Sequence, residues 1–401
     1  MTEQQVDILI IGGGLTGATL MLALANAGHR VLLIEAQPFA DKTKIDFDAR
    51  TLALSPASVR ILKMLNVWSE LADEATAITT IHVSEKQRFG TAKLQADKKN
   101  PLGYVVEMQH IHGAMHKRLD AQKIIAPAKL MALDMQTGTA TIQDDQGILT
   151  LRATLIVAAD GADSYVRQLC GLSAQIKDYH QHAVIANIGL TRSHRHWAYE
   201  RFISSGPMAL LPMTGLRASL VWSLPPKEAE RMMVMNEAHF LKALQEAFGY
   251  RLGRFVRVGR RALYPLRQVI MVQQAFWPVV FVGNAAHTLH PVAGQGFNLG
   301  LRDVALLAQC IIQHGLNPEM LRQYQQLRRH DQMAITRFTD SLVELFGCKI
   351  PGIGAARSAG LIALDNNRLL KKIFARYTCG FAGFIPDLAC GIPLQMPGSP
   401  L

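Results

Sequence analysis

Four short runs of the chain are apolar without alternation. Asp7–Ile11 (DILII) is the first, and Gly12-Gly13-Gly14 breaks it. Leu20, Leu22, Leu24 and Ala25 then carry a helical pattern up to Gly28, and Arg30–Ile34 forms a second apolar run closed by Glu35. Leu155–Ala159 and Val279–Val282 complete the set, the last ended by Gly283-Asn284. Their length and lack of alternation predict buried strands. After Val282 comes a loop holding Pro291, Gly294 and Gly296, and the periodic run Phe297, Leu301, Val304, Ala305, Ala308 predicts a helix opening near Phe297.

The intervening segments read differently. Residues 76–105 suggest strands that leave the first domain and return, and Leu119–Arg152 a polar β-meander with its turn at Asp144–Gly147. From Ala183 onward AVIANIGL, AYERFI, MALLPM and ASLVW are strand-like runs separated by polar or Gly/Pro breaks. Residues 180–270 are therefore expected to form a mostly antiparallel sheet with one helix, Glu237–Phe248, capped by Asn236 and stopped at Gly249. The expected fold is α/β: a Rossmann-like domain from 1–75, 106–178 and 271–345, an inserted sheet domain from 76–105 and 179–270, and a helical, apolar C-terminal tail from 346–401. In that tail Leu369, Leu370, Ile373, Phe374 and Tyr377 share a helical face, with Arg368, Lys371, Lys372 and Arg376 around it. A membrane surface, a partner, or the protein's own core would each suit such a helix.

Strand, Gly12-x-Gly14-x-x-Gly17, helix, second strand and terminal Glu35 make the context in which glycine-rich turns hold a dinucleotide. Gly12 serves the tight turn, Gly14 lets the backbone approach a pyrophosphate, Gly17 lets helix and sheet pack, and Glu35 can accept from a ribose hydroxyl. Thr16 lies on the same turn. The motif alone does not separate FAD from NAD. No second such unit follows: Gly352-Ile353-Gly354 has Arg357 at the third glycine position and a poor strand before it.

Three further segments favour FAD. They are Asp48–Ser55 (DARTLALS), containing Arg50; Asp160-Gly161-Ala162-Asp163-Ser164-Tyr165-Val166-Arg167; and Gly283–Asn298, GNAAHTLHPVAGQGFN. The last resembles the second signature of the aromatic-hydroxylase class of FAD monooxygenases, G-D-A-A-H-x-x-x-P-x-x-G-Q-G-x-N, and the second its D-G-x-x-S-x-x-R signature. Asn284 stands where the family usually has Asp; it keeps an acceptor oxygen but no charge. The segments LGYVVE, AVIAN, YERF, GPMALLP, SLVW, YPL and TDSLVELF are similar to the ubiquinone-biosynthesis hydroxylases, the UbiH/UbiF/VisC type.

The resemblance implies tightly but non-covalently bound FAD, NADPH as a transient co-substrate, and transfer of one oxygen atom from O2 to a polyprenylated phenol, 2-polyprenyl-6-methoxyphenol. It places Arg50, Asp160, Gly161, Asn284, Gly294, Gln295, Gly296, Phe297 and Asn298 on the cofactor. The helix N-terminus near Phe297-Asn298 would stabilise the reduced, anionic flavin through its N–H groups. Pro291 would border the oxygen-transfer site. The base is unassigned, with His287 and His290 as candidates beside structural histidines. A flavin-dependent reductase of an isoprenoid lipid and a non-catalytic scaffold of a quinone-synthesis complex are the competing readings. Flavin halogenases are disfavoured, because W-x-W-x-I-P is absent.

Composition adds limits. A chain of 401 residues suggests two joined domains, and 49% hydrophobic with 18% charged residues marks it as globular. The net charge of +11 suits an anionic cofactor or lipid, and no recognition motif for nucleic acid accompanies it. The arginines at 251, 254, 257, 260, 261 and 267 read first as a solvated face. Five scattered cysteines without a C-x-x-C pair, and an N-terminus lacking a basic n-region, point to the cytosol. No spanning helix is expected, so membrane contact would be peripheral, at the inner face. The histidines at 110, 112, 116, 180, 182, 194 and 196 lack Cys or acid ligands at a recognised spacing, so no metal is expected.

Overall fold

In the computed structural model, which describes residues 3–38, 47, 50–96, 100–348 and 350–395, the four apolar runs lie side by side. Glu3–Ile11 pairs in parallel with Gly147–Ala158 on one side and Val31–Ile34 on the other, and Val279–Phe281 continues the sheet beyond Gly147–Ala158. Every residue of Val31–Ile34 and of Val279–Phe281 is buried, because helices or strands cover both sheet faces. Ile8, Ile10 and Val157 point into a core shared with Leu20, Leu301, Val304 and Tyr324 of the helices Leu15–Ala23, Gln295–His314 and Pro318–Gly347. Leu9, Ile11 and Ile156 face the other way, onto Leu130 and Ile142 of the meander strands Ala128–Asp134 and Thr139–Asp144.

Two helix boundaries differ from the sequence expectation. The first helix ends at Ala23, and the chain then turns through to Gly28 (φ +72°) instead of remaining helical. The helix expected near Phe297 starts at Gln295, because Ala293 (φ +61°) and Gly294 (φ +60°) swing the chain into it two residues earlier.

The second sheet has nine strands in the order His287–Thr288, Ala262–Ile270, Gln175–Leu190, Arg217–Leu224, Gly206–Met213, Trp197–Ile203, Thr80–Glu85, Thr91–Gln95, with Phe255–Val258 attached to Gln175–Leu190. Its pairings are antiparallel except one: Trp197–Ile203 runs parallel to Thr80–Glu85. Only the middle of 76–105 joins it. Gly103–Glu107 instead forms the centre of a small three-stranded sheet, with Thr51–Leu54 on one side and Thr76–Ile78 on the other. The long strand Gln175–Leu190 runs across the 178/179 boundary, and His287–Thr288 adds an edge strand from the far side of 270/271. Strands thus pass from one domain into the other without a linker.

The helix Glu237–Phe248 has the bounds its caps dictate: Asn236 Oδ1 accepts from His239 N at 3.0 Å, and Gly249 ends it at φ +90°. It packs Phe240 and Phe248 onto Trp222 and Tyr199. In the basic stretch Arg257 stacks on Phe47 and Arg261 on Phe240, while Arg251, Arg254, Arg260 and Arg267 are exposed. Gly352 only caps the helix Ile353–Asn366 and follows no strand.

The tail helix Arg368–Thr378 divides its apolar face. Phe374 and Tyr377 pack on Phe338, whereas Leu369, Leu370 and Ile373 are exposed. Beyond it the chain folds back: Leu388 and Ala389 enter the core of the first domain, and Ala57 N donates to Cys379 O at 3.2 Å.

Candidate active site

The carboxyl ends of the parallel strands form one crevice, the place where open α/β sheets bind ligands. Glu3–Ile11 delivers Gly12, Gly14 and Thr16 to it; Val31–Ile34 delivers Glu35; Gly147–Ala158 delivers Asp160 and Gly161; Val279–Phe281 delivers Asn284. The glycines separate into two sets. A Cβ on Gly12 would lie 2.5 Å from Ala159 O, and one on Gly17 would lie 1.9 Å from Gly12 O, so these two hold strand and helix together. A Cβ on Gly14, Gly161 or Gly296 would meet nothing within 4 Å, so here the bare backbone borders open space. Glu35 Oε2 accepts from Gly13 N at 2.6 Å and Oε1 from Gln37 N at 2.9 Å, fixing the turn at the strand ends.

The D-G-x-x-S-x-x-R segment spends most of its polar groups on itself. Asp160 Oδ2 accepts from Val166 N, Ser164 caps the helix Tyr165–Leu169, and Arg167 donates to Ala162 O and Ala285 O. Asp160 Oδ1 is buried without a partner and Asn284 is exposed at the crevice, two acceptors still available to a ligand. Arg50 is exposed and donates to Tyr264 OH at 3.0 Å, bridging the first domain to the large sheet; its neighbours Asp48 and Ala49 lie outside the described residues.

At the start of Gln295–His314 the family residues do different work. Asn298 Oδ1 accepts from Ser55 N and Ser58 Oγ while Nδ2 donates to Ala53 O and Gly294 O, so its side chain is fully occupied in shaping the cradle. Gln295 Nε2 donates to Ala293 O and to Thr378 O of the tail helix, but its Oε1 is buried and unpartnered. Phe297 packs into the core clusters on either side of the first helix. Gly294 and Gly296 leave the first-turn N–H groups bare, and the positive helix end faces the crevice. An extended dinucleotide ending in an electron-rich ring fits this set of donors, glycines and unpartnered oxygens.

Both histidine candidates lie in the interior, each with one ring nitrogen, His287 Nδ1 and His290 Nε2, buried without a partner. His287 is 1% exposed, and its Nε2 lies 2.5 Å from Asp303 Oδ2. Asp303 also accepts from Gly283 N and pairs with Arg328, which pairs with Asp331, which pairs with Arg302. Two arginines and two aspartates, all buried, thus clamp the long helices Gln295–His314 and Pro318–Gly347 behind the cradle. Burial alone would raise the Asp303 carboxyl, but His287 and Arg328 outweigh it and hold it well below the usual range. His290 is also 1% exposed, stands edge-on to Tyr179, and is pushed down to about 4 by burial, so it stays neutral. Pro291 caps the short turn Val292–Gly294 at the cradle's rim.

Between the cradle and the large sheet lies an apolar pocket of about 100 Å³. Val292, Ala293 and Gln295 form its cradle side, Ile81, Val83, Glu200 and Phe202 its sheet side, and Leu342 and Phe374 close it. Glu200 is the one ionisable residue in this lining, and burial pushes its carboxyl up to about 7. Sequence reading did not single it out, although an acid within the apolar strand AYERFI was the available signal. The buried ion-pair network was missed likewise; its trace is the Arg302-Asp303 pair inside a helix otherwise apolar on that face. Among the described residues no helix is long and apolar enough to cross a membrane, and no cluster of His, Cys, Asp or Glu could hold a metal.

The chain is 36% identical over 411 residues to a ubiquinone hydroxylase, UbiL, of Rhodospirillum rubrum, the alignment covering 98% of this chain and 94% of the relative. It is 32% identical over 394 residues to the 3-demethoxyubiquinol 3-hydroxylase of Escherichia coli, covering 95% and 100%. Its fold matches the p-nitrophenol 4-monooxygenase PnpA of Pseudomonas putida with a TM-score of 0.77 at 18% identity, over 95% of this chain and 99% of that one. Residues 5–339 match the FAD binding domain family. The chain belongs to that family, as a flavin-dependent monooxygenase of the group that includes the ubiquinone-biosynthesis hydroxylases.

Proposed function

We propose that this enzyme hydroxylates the ring of a polyprenylated phenol in ubiquinone biosynthesis, with 2-polyprenyl-6-methoxyphenol as substrate, NADPH as electron donor and O2 as oxygen source. The observation that carries this reading is the apolar pocket between the cradle turn Val292–Gly294 and the sheet residues Ile81, Val83 and Phe202. Its walls suit an uncharged aromatic ring, and a ring held there would lie near the N-terminus of Gln295–His314. FAD, when bound, supplies the chemistry of accepting hydride from NADPH and activating O2. Gly14, Gly161 and Gly296 let the backbone approach it, while Glu35, Asp160 and Asn284 offer acceptors to its hydroxyls. With FAD bound, the first-turn N–H groups of Gln295–His314 would offer donors to negative charge at this end of the crevice. Phe202, Leu342 and Phe374 exclude water from the oxygen-transfer site.

The prenyl chain needs a way in. A groove of about 530 Å³ runs between the helix Pro56–Met64 and the tail helix, and Leu102 lines both groove and pocket. Arg60, Lys63, Lys371, Lys372 and Arg376 surround this groove, and Leu369, Leu370 and Ile373 are exposed on the same tail helix. Such a surface suits peripheral contact with an anionic membrane, where each cation is worth about 1 kcal/mol. The substrate would then pass from lipid to pocket.

The test is reconstitution. The purified protein should bind FAD one to one and oxidise NADPH faster when a short-chain 2-prenyl-6-methoxyphenol is added. A preparation that takes up no flavin, or whose NADPH oxidation ignores the phenol, would refute the reading and would separate it from a non-catalytic scaffold.

A further inference from the structure

The pocket holds one feature that its apolar walls do not call for. In the strand Trp197–Ile203 alternate side chains face opposite ways: Tyr199 packs on Phe248 and Arg201 donates to Ala247 O, while Glu200 and Phe202 face the cradle. Glu200 is held there rigidly. Its strand is a middle strand of the large sheet, paired to Val83 on one side and Ala209 on the other. Among the described residues no hydrogen bond or ion pair reaches its carboxyl, and burial is the sole influence on it. Arg201, its charged neighbour, is turned to the far face, and the lining contributed by Thr51–Leu54, Thr80–Glu85, Pro318–Gly347 and the tail helix carries no charge. Glu200 itself is half-buried, its carboxyl opening into the pocket, and the one buried polar atom without a partner in this lining is Gln295 Oε1, on the cradle side.

An unpartnered carboxyl in an apolar wall is a cost to the fold, and such groups persist where a ligand completes them. We infer that Glu200 is a catalytic residue that accepts the phenolic hydroxyl of the substrate and removes its proton as the ring is attacked. The inference rests on the prenylphenol reading above. In the step the phenol O–H bond breaks, its electron pair stays on the phenol oxygen, and the proton passes to a Glu200 oxygen. The electron-rich ring then takes one oxygen atom derived from O2, with NADPH as reductant. Once the attacked carbon sheds its own hydrogen to solvent, the phenol oxygen recovers a proton from Glu200 and the carboxylate is restored. Because burial places this carboxyl at about 7, both forms are populated at neutral pH, as a group that takes and returns a proton requires.

The test uses the holoenzyme, NADPH and a short-chain 2-prenyl-6-methoxyphenol. Wild-type kcat/KM for product should fall below about pH 7 as Glu200 protonates; in Glu200→Gln it should drop by about 100-fold or more, and the acid limb should disappear. Equilibrium dialysis should show that wild type prefers the phenol to its O-methyl ether about tenfold, and that the Gln variant has lost the preference. FAD content and melting temperature should be unchanged or raised. Hydroxylation by Glu200→Gln at the wild-type rate with the wild-type pH profile would overturn the inference. If Glu200→Gln does not fold, Glu200→Asp decides: a shifted acid limb supports the role and an identical one overturns it. A wild-type enzyme that hydroxylates no prenylphenol would instead refute the proposed function.

Discussion

Replacing Asp303 by Asn removes one charge from a site closed to bulk solvent. Asp303 is fully buried, with Arg328 Nη2 at 2.7 Å and Nε at 2.8 Å from Oδ1, and His287 Nε2 at 2.5 Å and Gly283 N at 3.1 Å from Oδ2. Asn is isosteric, so the loss is electrostatic: Arg302 and Arg328 would share Asp331 alone. Breaking one partner of a buried pair costs about 3–5 kcal/mol. With an unfolding entropy of about 2.1 cal/mol/K per residue, 401 residues give about 0.84 kcal/mol/K, so the melting temperature should fall by about 4–6 °C. The penalty also has a pH signature. Asp303 is held below its ordinary value of 3.8, so its contribution is fully present above that value and is lost only as pH falls through the lower folded value. The difference between wild type and Asn variant should therefore be flat from about pH 5 to 8 and shrink only under acid conditions. Differential scanning calorimetry on both proteins, with Asp303→Leu/Arg328→Met as a charge-balanced control, makes the comparison. The double variant should cost less than the sum of the singles. An Asn variant within about 1 °C of wild type would show that the network contributes no such stability.

Other consequences are cheaper to check. Gly14→Val should leave the melting curve of the flavin-free protein almost unchanged but abolish FAD binding, whereas Gly17→Ala, whose Cβ would lie 1.9 Å from Gly12 O, should lower stability itself; thermal melts with and without FAD separate them. His82 and His290 are both pushed down to about 4 by burial, so the folded form stays neutral where the unfolded chain takes up protons below about pH 6.5. Stability should be full above that pH and decline as pH falls toward 4, and His290→Asn should flatten the decline in urea titrations. Serine at Leu369, Leu370 and Ile373 together should abolish sedimentation with anionic vesicles and leave hydroxylation of a water-soluble prenylphenol intact.

The sheet around the cradle was legible because its strands are covered on both faces and its turns need glycine. DILII, VLLI and VVF carry no alternation to misread, and Gly12 and Gly17 occupy positions where a Cβ would collide with backbone. Helix ends were less legible. The start at Gln295 depends on left-handed backbone at Ala293, a residue type that gives no warning of it. The split of 76–105 between two sheets could not be read either, since local pattern does not say which strand a run will pair with.

Side-chain roles diverged for a related reason. A motif shows which residues recur together, whereas burial decides what each can touch. His287 sits in the signature beside Asn284, yet its partner Asp303 is 16 residues onward in the next helix, so it ends in the interior. Asn298 likewise finds its side-chain partners within the chain, at Ala53, Ser55, Ser58 and Gly294. Glu200 shows the converse. It belongs to no cofactor motif, and the pairing of its strand with Thr80–Glu85 and Gly206–Met213 brings it opposite Val292 and Gln295. The amphipathic tail helix was readable as such, but its division between a packed end at Phe374 and an exposed end at Leu369 depends on where Phe338 lies.

The central claim is that oxygen from O2 enters the ring of a prenylated phenol held against the flavin cradle. Mass spectrometry of the product formed under ¹⁸O2, with NADPH and short-chain 2-prenyl-6-methoxyphenol, measures this directly. The account predicts one heavy oxygen in each product molecule; a product formed without label, or labelled only when the water carries ¹⁸O, would contradict it.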